Sequence, residues 1–170
     1  MNKKNILVGQ SGGPTAVING SLYGVICEGA RHSDAVGCVY GMINGIEGFL
    51  ADSYMNLSET LSDDDLELLR LTPAAYLGSC RFKLPEIHED KSIYEKIFDI
   101  LNRLDIYAFI YIGGNDSMDT IKKLSDYAIL TGQTQKFLGV PKTIDNDLAL
   151  TDHTPGFGSA AKYIANSTKE

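Results

Sequence analysis

The sequence is short of cysteine, of positive charge and of long apolar runs, and each shortage removes a class of protein. Its three cysteines, Cys27, Cys38 and Cys80, form no CxxC pair and no zinc-ligand spacing, and an odd number is a poor basis for a disulfide framework. A reducing, cytoplasmic setting is the expectation. Fifteen Lys and Arg against 22 Asp and Glu leave a formal net charge of -7, which argues against bulk nucleic-acid binding and against a polybasic membrane surface. It leaves open a small anionic ligand held by a few local donors. The basic start is followed only by Ile6-Leu7-Val8 before Gly9, so no signal-peptide core forms, and no apolar stretch is long enough to span a membrane.

What is present is 170 residues with 44% hydrophobic side chains, enough for one compact domain with a sizeable core. Seventeen glycines, many beside β-branched or aromatic runs, favour alternating strands and helices over a helical bundle. Ile6-Leu7-Val8 reads as a buried strand running into a glycine turn, Gly9-Gln10-Ser11-Gly12-Gly13-Pro14. A helix is expected over 16–31 despite Gly20 and Gly24, then a strand over 35–40 and a turn over 41–45. Ser62-Asp63-Asp64-Asp65 reads as the capped, acid-rich start of a short helix reaching Leu71, within a 51–80 segment that forms a possible excursion from the sheet. Ile93, Ile97, Leu101 and Leu104 mark one face of a further helix. Ile106 to Ile112 is a strand, followed by a helix beginning at Ser117 with Met118, Ile121, Leu124 and Ala128 buried. Phe137 to Val140 is a fourth strand, and 158–170 a final helix without a C-cap glycine, from which the chain is expected to be the front part of a longer protein. The fold expected is a three-layer α/β/α with a mostly parallel sheet, whose polar turns meet along the carboxyl edge where ligands bind.

Three of those turns carry chemistry. Ser11-Gly12-Gly13-Pro14-Thr15 would present backbone N–H groups near a helix N-terminus, either as a seat for phosphate or as a structural turn. It is neither GxxxxGK[ST] nor GxGxxG. Gly113-Gly114-Asn115-Asp116-Ser117 repeats the geometry with a carboxylate, which can hold Mg²⁺, orient a ligand or cap the helix. Lys142-Thr143-Ile144-Asp145-Asn146-Asp147 offers a cation, a hydroxyl and two carboxylates two residues apart, a charge clamp with a possible general base; the alternative is an Asx-rich turn satisfied by its own backbone. Arg81 is a candidate phosphate donor or an ordinary surface arginine. His32, His88 and His153 show no ligand spacing, Tyr107, Phe109 and Tyr111 alternate as strand packing, and Cys80 lacks an evident base.

Taken in order, Ser11-Gly12-Gly13-Pro14, Leu77-Gly78-Ser79-Cys80-Arg81, Gly113-Gly114-Asn115-Asp116-Ser117 and Pro141-Lys142-Thr143-Ile144-Asp145-Asn146-Asp147 resemble the phosphofructokinase family over nearly the whole chain. The resemblance implies phosphoryl transfer to the 1-hydroxyl of fructose 6-phosphate, with Asp145 as general base and Thr143 and Asp147 holding the sugar and the transferring group. It implies that Gly12, Gly13, Lys142 and Ser117 face the donor phosphates and that Arg81 stabilises charge during transfer. ATP-using relatives typically read GGDGS where this chain has Gly113-Gly114-Asn115-Asp116-Ser117. The side chain of Asp116, together with Lys142, therefore resembles the pyrophosphate-dependent branch, with Asp116 setting donor specificity. Mg²⁺ is the implied cofactor, with Asp116 and Asn115 as the candidate metal-facing groups. The resemblance further implies that 1–170 is the N-terminal donor-phosphate and catalytic domain, inactive alone and lacking the sugar-binding second domain, in a parent homodimer or homotetramer. An ATP-dependent phosphofructokinase, a kinase of the broader GGDG type acting on NAD or a lipid, and a non-catalytic phosphate-binding regulatory module are the alternatives.

Overall fold

Leu7 and Val8 are neighbours on the strand Lys4–Gln10 (β1), both are fully buried, and they belong to different hydrophobic cores. Successive strand side chains point to opposite faces, so a strand apolar at consecutive positions must be covered on both sides. The computed structural model, which describes residues 3–169, builds that covering. After β1 come α1 (Ile18–Arg31), β2 (Val36–Met42), α2 (Gly45–Leu50), β3 (Tyr54–Asn56), α3 (Leu57–Thr60) and α4 (Asp63–Leu71). Then follow α5 (Lys91–Arg103), β4 (Ile106–Gly113), α6 (Asn115–Thr131), β5 (Lys136–Pro141) and α7 (Phe157–Ser167).

The strands form one sheet in the order β3-β2-β1-β4-β5. All neighbours are parallel except the antiparallel β2–β3 pair at one edge. One core gathers Leu7, Phe109 and Tyr111 of the sheet with Ile46 and Phe49 of α2, Tyr94, Ile97 and Leu101 of α5, and Leu124 and Tyr127 of α6. The other joins Val8, Val39 and Ile112 to Ile18, Leu22 and Ile26 of α1, Leu57 of α3 and Leu69 of α4. The result is the expected three-layer α/β/α arrangement with a mostly parallel sheet. Because β1 sits in the middle, its carboxyl end opens onto the ends of β4 and β5.

Local signals placed several elements accurately. Ser62 caps α4 in a capping box with Asp65, three acids occupy the first turn, and Arg70 stands in the last, each complementing the helix dipole. α5 buries Tyr94, Ile97, Phe98, Ile100 and Leu101, with Asp90 as its N-cap. Other boundaries differ. β2 continues through Gly41 and Met42, where a turn was expected, because both pair with β1 and β3. The turn is only Ile43-Asn44, and the unforeseen helix α2 starts directly after it. Within 51–80, the three residues of β3 join the sheet and the rest packs as α3, α4 and irregular chain, so the strand expected as the fourth is the fifth. Helix α6 begins at Asn115, two residues before Ser117, with Gly114 at the N-cap. The last helix runs Phe157–Ser167 and buries none of its residues; the expected end at Glu170 lies outside the described residues. No helix among the described residues is long and apolar enough to cross a membrane, and all three cysteines are free thiols.

Candidate active site

Four separate stretches of chain meet at the carboxyl ends of β1, β4 and β5, around a cavity of about 530 Å³, within the range of small-molecule sites. Its walls are the loop after β1 (Ser11 to Thr15), the Cys80-Arg81-Phe82 segment, the start of α6 (Gly114 to Ser117) and the run Lys142 to Asp145 after β5. The sheet fixes the outer pair, since Ser11 N–H donates to the Ile112 carbonyl at 2.9 Å and Lys142 N–H to the Gly113 carbonyl at 3.0 Å. The Arg81 segment is tied to the β1 loop by Gly12 N–H donating to the Cys80 carbonyl (3.1 Å) and by the Ser79 hydroxyl donating to the Gly12 carbonyl (2.5 Å). Gly12 has φ +75, and a Cβ there would lie 3.3 Å from the Lys142 ammonium, so glycine supplies both the backbone conformation and the space.

α1 and α6, the helices that follow β1 and β4 at this edge, have no side-chain N-cap. Uncapped N-termini leave backbone N–H groups and the positive end of the helix dipole available to an anion. Of the two glycines expected to face phosphate, Gly12 uses its N–H on Cys80, whereas the Gly13 N–H has no partner among the described residues. Lys142 is 6% exposed and its ammonium donates to the Gly13 carbonyl. Burial, with the Arg81 charge as a second cause, holds its pKa below the ordinary lysine value. Such a group gains its charge most readily when an anion arrives. Arg81 is exposed on the cavity wall.

Asp116 is exposed in the first turn of α6 and lines the cavity, where its charge also suits the helix dipole. Ser117 is 2% exposed beneath the same wall. Asn115 donates its side-chain amide to Asp147 at 3.1 Å. That bond is the main reason the Asp147 carboxyl is held below the usual carboxylate range. Asp147 therefore sits beside the α6 start, while Asp145 is the carboxylate of its pair that lines the cavity. Asp145 N–H donates to the Thr143 hydroxyl at 3.0 Å, and that hydroxyl lies 3.4 Å from the Asp145 carboxylate. The segment is thus a bent turn that sends its two carboxylates to different neighbours. No group of three or more His, Cys, Asp or Glu among the described residues could cage a metal ion. A Mg²⁺ ion usually takes one or two carboxylates and completes its shell from substrate phosphates and water, a donor set that Asp116 and the Asn115 carbonyl oxygen can provide.

Two groups of residues escaped the sequence reading. Gln10 and Asn19, 0% and 2% exposed, form a buried amide pair (2.9 Å) behind the cavity. Gln10 accepts from Leu77 N–H, and Asn19 accepts from Tyr76 N–H and donates to the Thr72 carbonyl, each at 2.9 Å. This pair anchors the segment that leads into Arg81. An amide at the end of an otherwise apolar strand was the available signal. Asn146, between the two aspartates, is the other.

The sequence pattern of the family described as Phosphofructokinase matches residues 5–170. The chain belongs to the phosphofructokinase family. It is 46% identical over all 170 residues to a Halomonas elongata protein described as pyrophosphate--fructose 6-phosphate 1-phosphotransferase, and covers 40% of that protein. Two solved structures described as pyrophosphate-dependent phosphofructokinase superpose on it. The one from Nitrosospira multiformis has a TM-score of 0.88 at 43% identity, and the one from Marinobacter aquaeolei 0.86 at 46%. Each comparison covers 97% of this chain and 40% of the other. The chain therefore spans about 40% of the length of these phosphofructokinase relatives.

Proposed function

We propose that this phosphofructokinase chain is the N-terminal donor-phosphate and catalytic domain of a longer enzyme. That enzyme transfers a phosphoryl group reversibly from pyrophosphate to the 1-hydroxyl of fructose 6-phosphate. The observation that carries this reading is the meeting of Gly13, Arg81, Asp116, Lys142 and Asp145 around one cavity. Asp145 accepts the proton of the 1-hydroxyl as its oxygen attacks the terminal phosphorus of pyrophosphate; the bridging P–O bond breaks and inorganic phosphate leaves. The Gly13 N–H, the Lys142 ammonium and the Arg81 guanidinium face the phosphate oxygens as charge builds on them. Thr143 and Asp147 hold the sugar and the transferring group, with Ser117 and Gly12 shaping the donor wall. Asp116 stands where the inner phosphate of a nucleotide would lie and disfavours ATP by charge and bulk, in line with the donor named in the descriptions of the Halomonas, Nitrosospira and Marinobacter proteins. Mg²⁺, when bound with the donor by Asp116 and Asn115, neutralises phosphate charge. A cytoplasmic homodimer or homotetramer completes the proposal, with the sugar-binding half supplied by the rest of the protein and the piece alone inactive.

The test is steady-state turnover of the full-length protein with fructose 6-phosphate and Mg²⁺, comparing pyrophosphate with ATP and wild type with Asp145→Ser. Preference for pyrophosphate and a loss of kcat of roughly 10²- to 10⁴-fold in the variant are expected. Wild-type turnover in Asp145→Ser would remove the assigned base, and preference for ATP would remove the assigned donor gate.

A further inference from the structure

Between β5 and α7 the chain runs through an irregular loop whose outer residues are exposed, yet this loop carries Thr143, Asp145 and Asp147. Something other than secondary structure must hold it. Asn146 adopts φ 55, the left-handed region that asparagine tolerates better than alanine or branched residues. From there its side chain reaches across the loop with both ends of the amide. Nδ2 donates to the Asp152 carbonyl and Oδ1 accepts from Thr154 N–H, each at 3.0 Å. Thr154 is 3% exposed, and its hydroxyl donates to the Thr143 carbonyl at 3.1 Å. Thr143 N–H donates to the Pro155 carbonyl at 2.9 Å. Asn146 thus closes a ring of hydrogen bonds that returns to Thr143, whose hydroxyl receives Asp145 N–H.

We propose that Asn146 is a positioning residue: its amide clamps the loop so that Asp145 and Thr143 keep the geometry needed on the sugar side of the cavity. An amide is required because the two sites present opposite demands, a carbonyl acceptor at Asp152 and an N–H donor at Thr154. A carboxylate satisfies only the second and adds repulsion between its two acidic neighbours. The β1 loop and the Arg81 segment are held separately, by the bonds of Gly12 and Ser79, so their phosphate contacts do not pass through Asn146.

This inference rests on the proposed transfer to fructose 6-phosphate, and its test separates the two. In the full-length protein, Asn146→Ala and Asn146→Gly are compared with wild type and with Asp145→Ser. Glycine keeps the left-handed backbone accessible and removes only the clamp. Both Asn146 variants are expected to lose kcat on the order of 10- to 100-fold, the upper figure being the cost of misplacing a reacting group by about 1 Å. The KM for fructose 6-phosphate should rise several-fold, and by clearly more than that for pyrophosphate, whose remaining contacts through Gly13 and Arg81 lie outside the clamped loop. A role confined to stability would lower turnover with the folded fraction and leave both KM values alone. Wild-type constants in Asn146→Gly, or equal shifts in both KM values, would overturn the clamp while the Asp145→Ser result still stands or falls by itself.

Discussion

Replacing Lys142 with methionine removes one buried cation and keeps an unbranched stem in its place. In the folded chain that cation has little water, a carbonyl partner in Gly13 and the repulsion of Arg81. A hydrogen bond made by a charged group contributes about 1.5–3 kcal/mol. If Lys142 makes one to pyrophosphate as charge develops, its loss lowers kcat/KM by roughly 10- to 150-fold at about 1.4 kcal/mol per factor of ten. Folding should respond differently, because the lost bond to Gly13 is offset by the desolvation penalty that disappears with the charge. The assay is initial rates against pyrophosphate at saturating fructose 6-phosphate in the full-length protein, with thermal midpoints measured alongside. Expected is the stated loss in kcat/KM with a midpoint shifted by no more than a few degrees. A variant within twofold of wild type, or one whose activity falls only as its folded fraction does, would refute the reasoning.

The same lysine supplies a pH signature. Its depressed pKa means that it releases its proton, and with it the proposed grip on pyrophosphate, below the ordinary lysine value. The alkaline limb of kcat/KM for pyrophosphate should therefore begin below that value and vanish in Lys142→Met. For folding the sign is opposite. Between the lowered and the ordinary pKa the unfolded chain binds the proton that the folded chain has released, so stability contributed by this residue rises with pH across that window.

If Asp116 is the proposed donor gate, Asp116→Gly should lower the ratio of kcat/KM for pyrophosphate to that for ATP by an order of magnitude or more in donor-competition rates; an unchanged ratio would place donor choice elsewhere. Gln10→Leu leaves the buried Leu77 N–H without its acceptor and should destabilise the protein by about 1–3 kcal/mol, measured by denaturant unfolding. An unchanged unfolding midpoint would show that the Thr72-to-Leu77 segment does not depend on the amide pair.

Much of this protein was written locally. The capping box at Ser62 and Asp65, the buried face of α5 and the paired apolar residues of β1 each rest on forces acting within a turn of helix or across a few strand residues, so they could be read one residue after another. The motifs that carry the family resemblance were legible for the same reason, as short runs of glycine, acid and lysine after strands. The three-residue strand β3 was not, because Tyr54–Asn56 has too few residues for a pattern and is a strand only through its partners Tyr40, Gly41 and Met42. Glycine at 114 likewise hid the start of α6, since no capping side chain announces it.

What the sequence determined by itself was the alternation of strands and helices, the α/β/α class, and the short polar runs that supply the candidate site residues. Tertiary structure decided which of them meet. It spent the Gly12 N–H on Cys80 and left that of Gly13 without a partner among the described residues, turned Asp145 to the cavity and Asp147 to Asn115, and drew Lys142 out of water against the β1 loop. Those outcomes depend on contacts between residues as far apart as Gly13 and Lys142, which only the order of strands in the sheet brings within hydrogen-bonding distance.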